Sequence, residues 1–274
     1  MENILAAVDF STTSKNSVEY AANLARYFNA KLTLFHAYNI PVLTTEAGYI
    51  PPLYDTKKEA ELEIKNWMRE LSIEFKGVTI DYVLEMGFAA DLIEEIALDR
   101  DCDLIVVGLS NQNSSIKEHL VGSVATNVAQ KSLVPVLIIP DTVKYSRIKK
   151  ISYACDFDKN LESSDVLTRI KYFCSLFDAD LQVLNVMRPQ EEISVEKAET
   201  DSYVEEKLHA TKHDTFFIYD EEVDKGLIEF MDHHETDVLI TSPKTHNFFH
   251  NLFRESKTKK LAFHSHVPVL AIHA

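Results

Sequence analysis

The chain carries the same two signatures twice, in the same order, and that duplication constrains its fold more than any other feature. ILAAVDFST (Ile4 to Thr12) is an apolar run closing on an aspartate, and ISYACDFDK (Ile151 to Lys159) matches it with Asp156 in the place of Asp9. DLIVVG (Asp103 to Gly108) leads through a polar loop and a helical segment to VPVLIIP (Val134 to Pro140). DVLITS (Asp237 to Ser242) leads in the same way to VPVLAI (Val267 to Ile272). Two anchors per copy at similar separation are a poor product of chance, and a repeat this long is a duplicated domain rather than a solenoid. The 274 residues therefore divide into a unit at 1–142 and a unit at 149–274. Each is long enough for a core of its own.

Within each unit, apolar runs alternate with amphipathic segments. Ile4 to Val8 is continuously apolar, as a strand covered on both faces requires, and Val18, Ala21, Ala25 and Phe28 then fall on one helical face. The pattern predicts strands at 4–8, 32–36, 78–84, 104–107 and 136–139, with helices at 14–28, 55–75, 90–98 and 122–131. A loop broken by Pro41, Gly48, Pro51 and Pro52 precedes the second helix, which carries Trp67. The second unit repeats the order, with strands at 150–154, 181–187, 215–219, 238–241 and 269–272 and helices at 161–177, 194–212, 223–233 and 256–265. Such alternation specifies an α/β fold of two tandem doubly wound parallel sheets, Rossmann-like, each of five strands in the order 3-2-1-4-5. The apolar fifth strands, 136–139 and 269–272, would lie at sheet edges, where unpaired backbone invites association. Pairing of the two units through these edges is expected.

In an open sheet of this kind, ligands bind beyond the carboxyl ends of the strands where the winding reverses. With the order 3-2-1-4-5 that crevice lies between the first and fourth strands, which end at Asp9 and Gly108. Gly122 and Ser123 open the next helix on this reading, where free N–H groups and the positive end of the dipole hold phosphate. Asp9 could accept a hydrogen bond from ribose or base, and a purine could lie near Ala37 at the end of the second strand. A plainer reading stays open at each position: Asp9 as a helix cap and Gly122 as helix–strand packing.

These residues resemble the universal stress protein family, specifically its tandem-domain members, over nearly the whole chain. Nucleotide-binding members carry Gly-x2-Gly-x9-Gly-[Ser/Thr] after the fourth strand and an aspartate after the first. Asp9 within DFS, Gly108, Gly122, Ser123 and the VPVL strand match, and GFAADLIEEIA (Gly87 to Ala97) is similar to the family's third-strand exit and helix. Asn111 stands where the middle glycine belongs, and ten residues rather than nine separate it from Gly122. The resemblance implies an adenine nucleotide (ATP, ADP or AMP) in the first unit, held at Asp9, Ala37, Gly108, Asn111, Gly122 and Ser123, with Mg²⁺ only as a companion of ATP. It also implies pairing through the fifth strands, and a homodimer is compatible with it.

The second unit keeps the spacing and loses the chemistry. Ser242, Thr245 and Glu255 occupy the three glycine positions, followed by Ser256. Glu255 would fill the helix dipole site with a carboxylate, and Pro243 stiffens the loop, so this unit reads as degenerate and as a pairing partner.

Other classes find less support. There is no Walker A, SGGxDS, HIGH or GxSxG sequence, which leaves slow ATP hydrolysis as the most catalysis the chain suggests. A scaffold that binds no nucleotide is the alternative. His246 and His250 have the spacing of a helical metal pair but no assured third ligand, and Cys155 beside Asp156 reads as a buried strand residue. A net charge of −15 argues against nucleic acid and anionic membrane, and no apolar run reaches membrane-spanning length. Three cysteines without CxxC spacing, and a Met1-Glu2-Asn3 start without basic residues, point to reduced thiols in a cytoplasm.

Overall fold

The computed structural model describes residues 1–38, 53–110, 118–155, 164–189, 195–242 and 266–273, with the side chains at 53–55, 118–123, 195–197 and 200 outside that description. The strands are β1 (Asn3–Ala7), β2 (Lys31–Tyr38), β3 (Thr79–Met86), β4 (Leu104–Leu109), β5 (Val136–Pro140), β6 (Lys150–Ala154), β7 (Asp180–Met187), β8 (His213–Tyr219), β9 (Val238–Thr241) and β10 (Val269–Ala271). The helices are α1 (Thr12–Phe28), α2 (Leu53–Glu74), α3 (Ala89–Asp99), α4 (Glu118–Lys131), α5 (Ser164–Phe177), α6 (Val195–Leu208) and α7 (Val223–His233). The helix expected at 256–265, together with Pro243, Thr245, His246, His250 and Glu255, lies outside the described residues.

All ten strands form one sheet in the order β3-β2-β1-β4-β5-β10-β9-β6-β7-β8. The fold is the α/β, Rossmann-like class expected, with the order 3-2-1-4-5 in the first five strands and its counterpart in the last five. Among the described residues every pairing within a half is parallel, and β5 and β10 alone run antiparallel, with Val269 against Ile138, Leu270 against Leu137 and Ala271 against Val136. The two five-stranded halves join through β5 and β10 into a single sheet of ten, which leaves neither fifth strand with an open edge. The ten strands fit two tandem domains.

The duplication reaches individual hydrogen bonds. Asp103 accepts the N–H groups of Glu2 and Asn3, and Asp237 accepts those of Lys149 and Lys150. Val8 N–H donates to Phe35 O at 2.8 Å, and Cys155 N–H donates to Leu184 O at 2.8 Å. His36 Nδ1 donates to the carbonyl of Val8 at 2.7 Å, and Asn185 Nδ2 to the carbonyl of Cys155 at 2.9 Å. The helices end alike too: Asn29 (φ 54°) and Asp178 (φ 52°) take the left-handed conformation after α1 and α5, one that short polar side chains tolerate.

Strand alternation builds two cores, one on each face of the sheet. Leu137, Ile139, Leu270 and Ile272 face the layer of α1, α2, α5 and α6, while Val136, Ile138, Val269 and Ala271 face α3, α4 and α7. Each core is continuous across the β5–β10 seam, which is why these strands read as uninterrupted apolar runs. Residues 141–149 between the halves are pinned rather than loose: Asn16 Nδ2 donates to the carbonyls of Pro140 and Val143, and Tyr145 meets Tyr20 edge-on at 5.2 Å.

Two helix limits differ by four residues from the sequence pattern. The helix expected at 194–212 ends at Leu208, because Thr211 N–H turns back to Leu208 O and Lys212 O already accepts from Leu181 at the start of β8. The helix expected to start at Gly122 already includes Glu118 to Val121, a stretch without a helix breaker.

Candidate nucleotide crevice of the first half

β1 pairs with β2 on one side and β4 on the other, so the winding reverses beside it and the carboxyl ends of β1 and β4 part above the sheet. A cavity of about 200 Å³ lies there. Ala7, Val8 and Asp9 come to it from β1, Phe35 and Ala37 from β2, and Val107 and Gly108 from β4. α3 adds Ala89 and Ile93, α4 adds Val124 and Ala125, and Ser11, Thr13 and Ser14 close it from the start of α1. Apolar side chains thus form most of the wall, and hydroxyls with one carboxylate form a polar corner.

That corner is built by a strained turn. Phe10 sits at φ 62°, a conformation that costs an aromatic residue about 1–3 kcal/mol and needs outside support. Its ring lies 4.5 Å from that of His36 and meets Trp67 edge-on at 5.5 Å. The turn ends in a cap. Ser11 is the N-cap of α1, its Oγ accepting from Ser14 N–H at 3.1 Å, and Asp9 N–H donates to Ser14 Oγ at 3.2 Å. Asp9 Oδ1 accepts from Ser11 N–H at 2.9 Å, and the residue is exposed. Asp9 therefore braces the cap rather than forming it.

Gly108 has a packing role of its own. A Cβ built there would stand 3.0 Å from Thr13 Cγ2, 3.1 Å from the Thr13 carbonyl oxygen and 3.2 Å from Ser17 Oγ. The missing side chain is what lets α1 lie so close to β4.

Of the residues singled out in the sequence, Asp9, Ala37 and Gly108 meet at one cavity. Asn111 lies outside the described residues. Gly122 and Ser123 fall within α4, four and five residues beyond its first residue Glu118, which corrects their expected place at its start. Sequence reasoning missed Phe35, Ile93, Val107 and Val124. They carry no chemical signature, and only their places at strand ends and helix starts would have marked them.

The remaining candidates stay apart from the crevice. Burial pushes the Cys102 thiol up to about 11 and the Cys174 thiol up to about 12, so neither is a nucleophile. Cys155 is buried just after β6. Among the described residues no three His, Cys, Asp or Glu side chains form a group able to hold a metal ion, and no helix is long and apolar enough to cross a membrane.

The model of the universal stress protein family matches residues 1–140. The chain belongs to this family. Universal stress protein YxiE of Bacillus subtilis is 34% identical over 146 residues, covering 50% of this chain and 97% of its own length. Universal stress protein MJ0577 of Methanocaldococcus jannaschii is 33% identical over 87 residues, 31% of this chain and 53% of its own. A universal stress protein from Archaeoglobus fulgidus shares the fold over 99% of this chain and 98% of its own, with a TM-score of 0.72 at 17% identity. The family match ends where β5 ends, and the shared fold extends across the rest, so the chain is long enough for a tandem arrangement of universal stress protein domains.

Proposed function

We propose that residues 1–142 form a universal stress protein domain that binds one adenine nucleotide in the crevice between β1 and β4. Residues 149–274 form a second domain that lacks this site, and the two pair through β5 and β10 into a pseudo-twofold unit. The protein acts in the cytoplasm as a stress-linked sensor or adaptor, with binding rather than turnover as the functional event. The observation that carries this reading is the cavity itself: it lies at the switch point, in the half that the family model matches, and it brings Asp9, Ala37 and Gly108 together.

The apolar walls suit the faces of a base, and Asp9 at the rim is placed to accept from ribose hydroxyls or an exocyclic amine. Titration calorimetry of the full chain with ATP, ADP and AMP tests the proposal. The expected stoichiometry is about one per chain, with displacement by any of the other two. Two equal sites, or no adenine compound bound at all, would overturn it.

A further inference from the structure

We infer that Thr13 is a specificity-determining residue of the crevice: its hydroxyl hydrogen-bonds a ribose hydroxyl of the bound nucleotide and makes the site prefer ribonucleotides to deoxyribonucleotides. Thr13 has this role only where an adenine nucleotide binds, so the inference rests on that reading and deepens it.

Thr13 stands in the first turn of α1, two residues after the cap Ser11. It is 7% exposed and lines the cavity. Its two branches are used differently. The methyl Cγ2 is turned to Gly108, where a Cβ would stand 3.0 Å from it. The hydroxyl has no hydrogen-bond partner among the described residues, and it is not sealed away from open space. The open space that Thr13 borders is the cavity. A threonine within a helix ordinarily returns its hydroxyl to the carbonyl four residues back, as Thr168 of α5 does to Ser164 O at 2.7 Å. So near the start of α1 no helical carbonyl lies four residues behind Thr13, and its donor and both lone pairs stay unspent.

The neighbours of Thr13 decide which ligand group suits it. Asp9 Oδ1 accepts from Ser11 N–H at 2.9 Å, while Oδ2 has no partner among the described residues. Ser11 Oγ and Ser14 Oγ accept from Ser14 N–H and Asp9 N–H and keep their O–H groups to donate. A ligand group in this corner therefore meets a carboxylate that only accepts and hydroxyls that donate. An alcohol does both at once, and ribose presents two on adjacent carbons. The apolar wall of Phe35, Ala37, Ile93 and Val124 takes the base, and the corner then receives the sugar joined to it.

Calorimetric titration of the full chain with ATP, 2′-deoxy-ATP and 3′-deoxy-ATP, repeated on two variants of Thr13, tests the inference. For at least one deoxy compound the parent should bind about tenfold or more weaker than it binds ATP, because a polar site left unpaired rejects the analogue. Thr13→Val keeps the methyl against Gly108 and removes the hydroxyl. It should weaken ATP about fivefold or more and leave that deoxy compound within about twofold of its affinity for the parent. Thr13→Ser keeps the hydroxyl and removes the methyl, and it should retain the gap between ATP and the deoxy compound. A parent indifferent to both ribose hydroxyls would overturn the inference and leave the nucleotide reading standing. So would a valine variant that binds ATP as the parent does, or one that weakens all three compounds equally. Failure of all three to bind the parent would remove both.

Discussion

The two halves of the sheet share backbone hydrogen bonds almost pair for pair, and differ where a ligand would sit. β2 and β7 have equal length, so Ala37 in the first half corresponds to Val186 in the second. The pairings of β1 with β4 and of β6 with β9 likewise set Val107 against Thr241 and Gly108 against Ser242. In the first half Ala37 leaves open space beneath α3, and the cavity occupies it. In the second half Val186 fills that place and α7 is seated on it: a Cβ at Gly226 would stand 3.0 Å from Val186 Cγ1. Two added methyl groups, and a glycine that lets a helix come down onto them, set the second half apart at this position. At this position the second half carries packing where the first carries open space, and aliphatic carbon in such a place stabilises a fold more than an opening does.

The comparison depends first on the seam, where the largest effect is expected. Leu270 is 3% exposed and pairs with Leu137 across β5 and β10. Leu270→Lys would place a charge without a partner in a core shared by the two halves, at a cost on the order of 3–5 kcal/mol. Urea unfolding followed by fluorescence of Trp67, which lies in the first half, should then separate from unfolding followed by circular dichroism of the whole chain. Coincident, unshifted transitions would show that β5–β10 pairing does not tie the halves together.

A smaller effect tests the difference at β2. Ala37→Val imports the second half's residue into the first, and overfilling a matched site costs about 1–3 kcal/mol of ligand binding. Affinity for the adenine ligand should fall by about tenfold or more while the urea midpoint stays close to that of the parent. The reverse change, Val186→Ala, removes two methyl groups from under α7 and should cost about 1–2 kcal/mol of stability. If Ala37→Val bound as tightly as the parent, the ligand would lie elsewhere than over β2.

How far this difference could be read from the sequence depends on the kind of residue. The duplicated order, the strand runs and the crevice at Asp9 and Gly108 were legible because parallel strands must be apolar on both faces and because the reversal of winding fixes where ligands go. A seam between the fifth strands was expected from their unprotected apolar edges, while its residue-by-residue register was not legible. The start of α4 was not, because Gly122-Ser123 imitates a helix start while Glu118 to Val121 carries no signal against helix. The role of Val186 was invisible for a different reason: a valine in a strand is ordinary, and only its contact with Gly226 gives it meaning. The sequence account of the second half rested on Glu255 and Pro243, outside the described residues, whereas the close approach of Gly226 to Val186 lies within them.

The smallest effect expected comes from a probe already in the chain. Cys155 occupies the place of Val8, which lines the first crevice, and its backbone N–H bonds to Leu184 as that of Val8 bonds to Phe35. Cys155 is 5% exposed. Only the thiolate reacts with a disulfide reagent. Burial holds Cys102 up to about 11 and Cys174 up to about 12, so at pH 8 the thiolate fraction of each is smaller than that of a free thiol and both should stay silent in the native protein. Slow labelling of the folded chain at pH 8 therefore reports Cys155, and through it the second crevice. A packed crevice predicts labelling only as fast as unfolding, unchanged by an adenine ligand bound in the first half. Val186→Ala should speed it a few-fold by loosening α7. Rapid labelling of Cys155 in the unmodified protein, slowed by adenosine or ATP, would show an open second site and reverse the comparison between the halves.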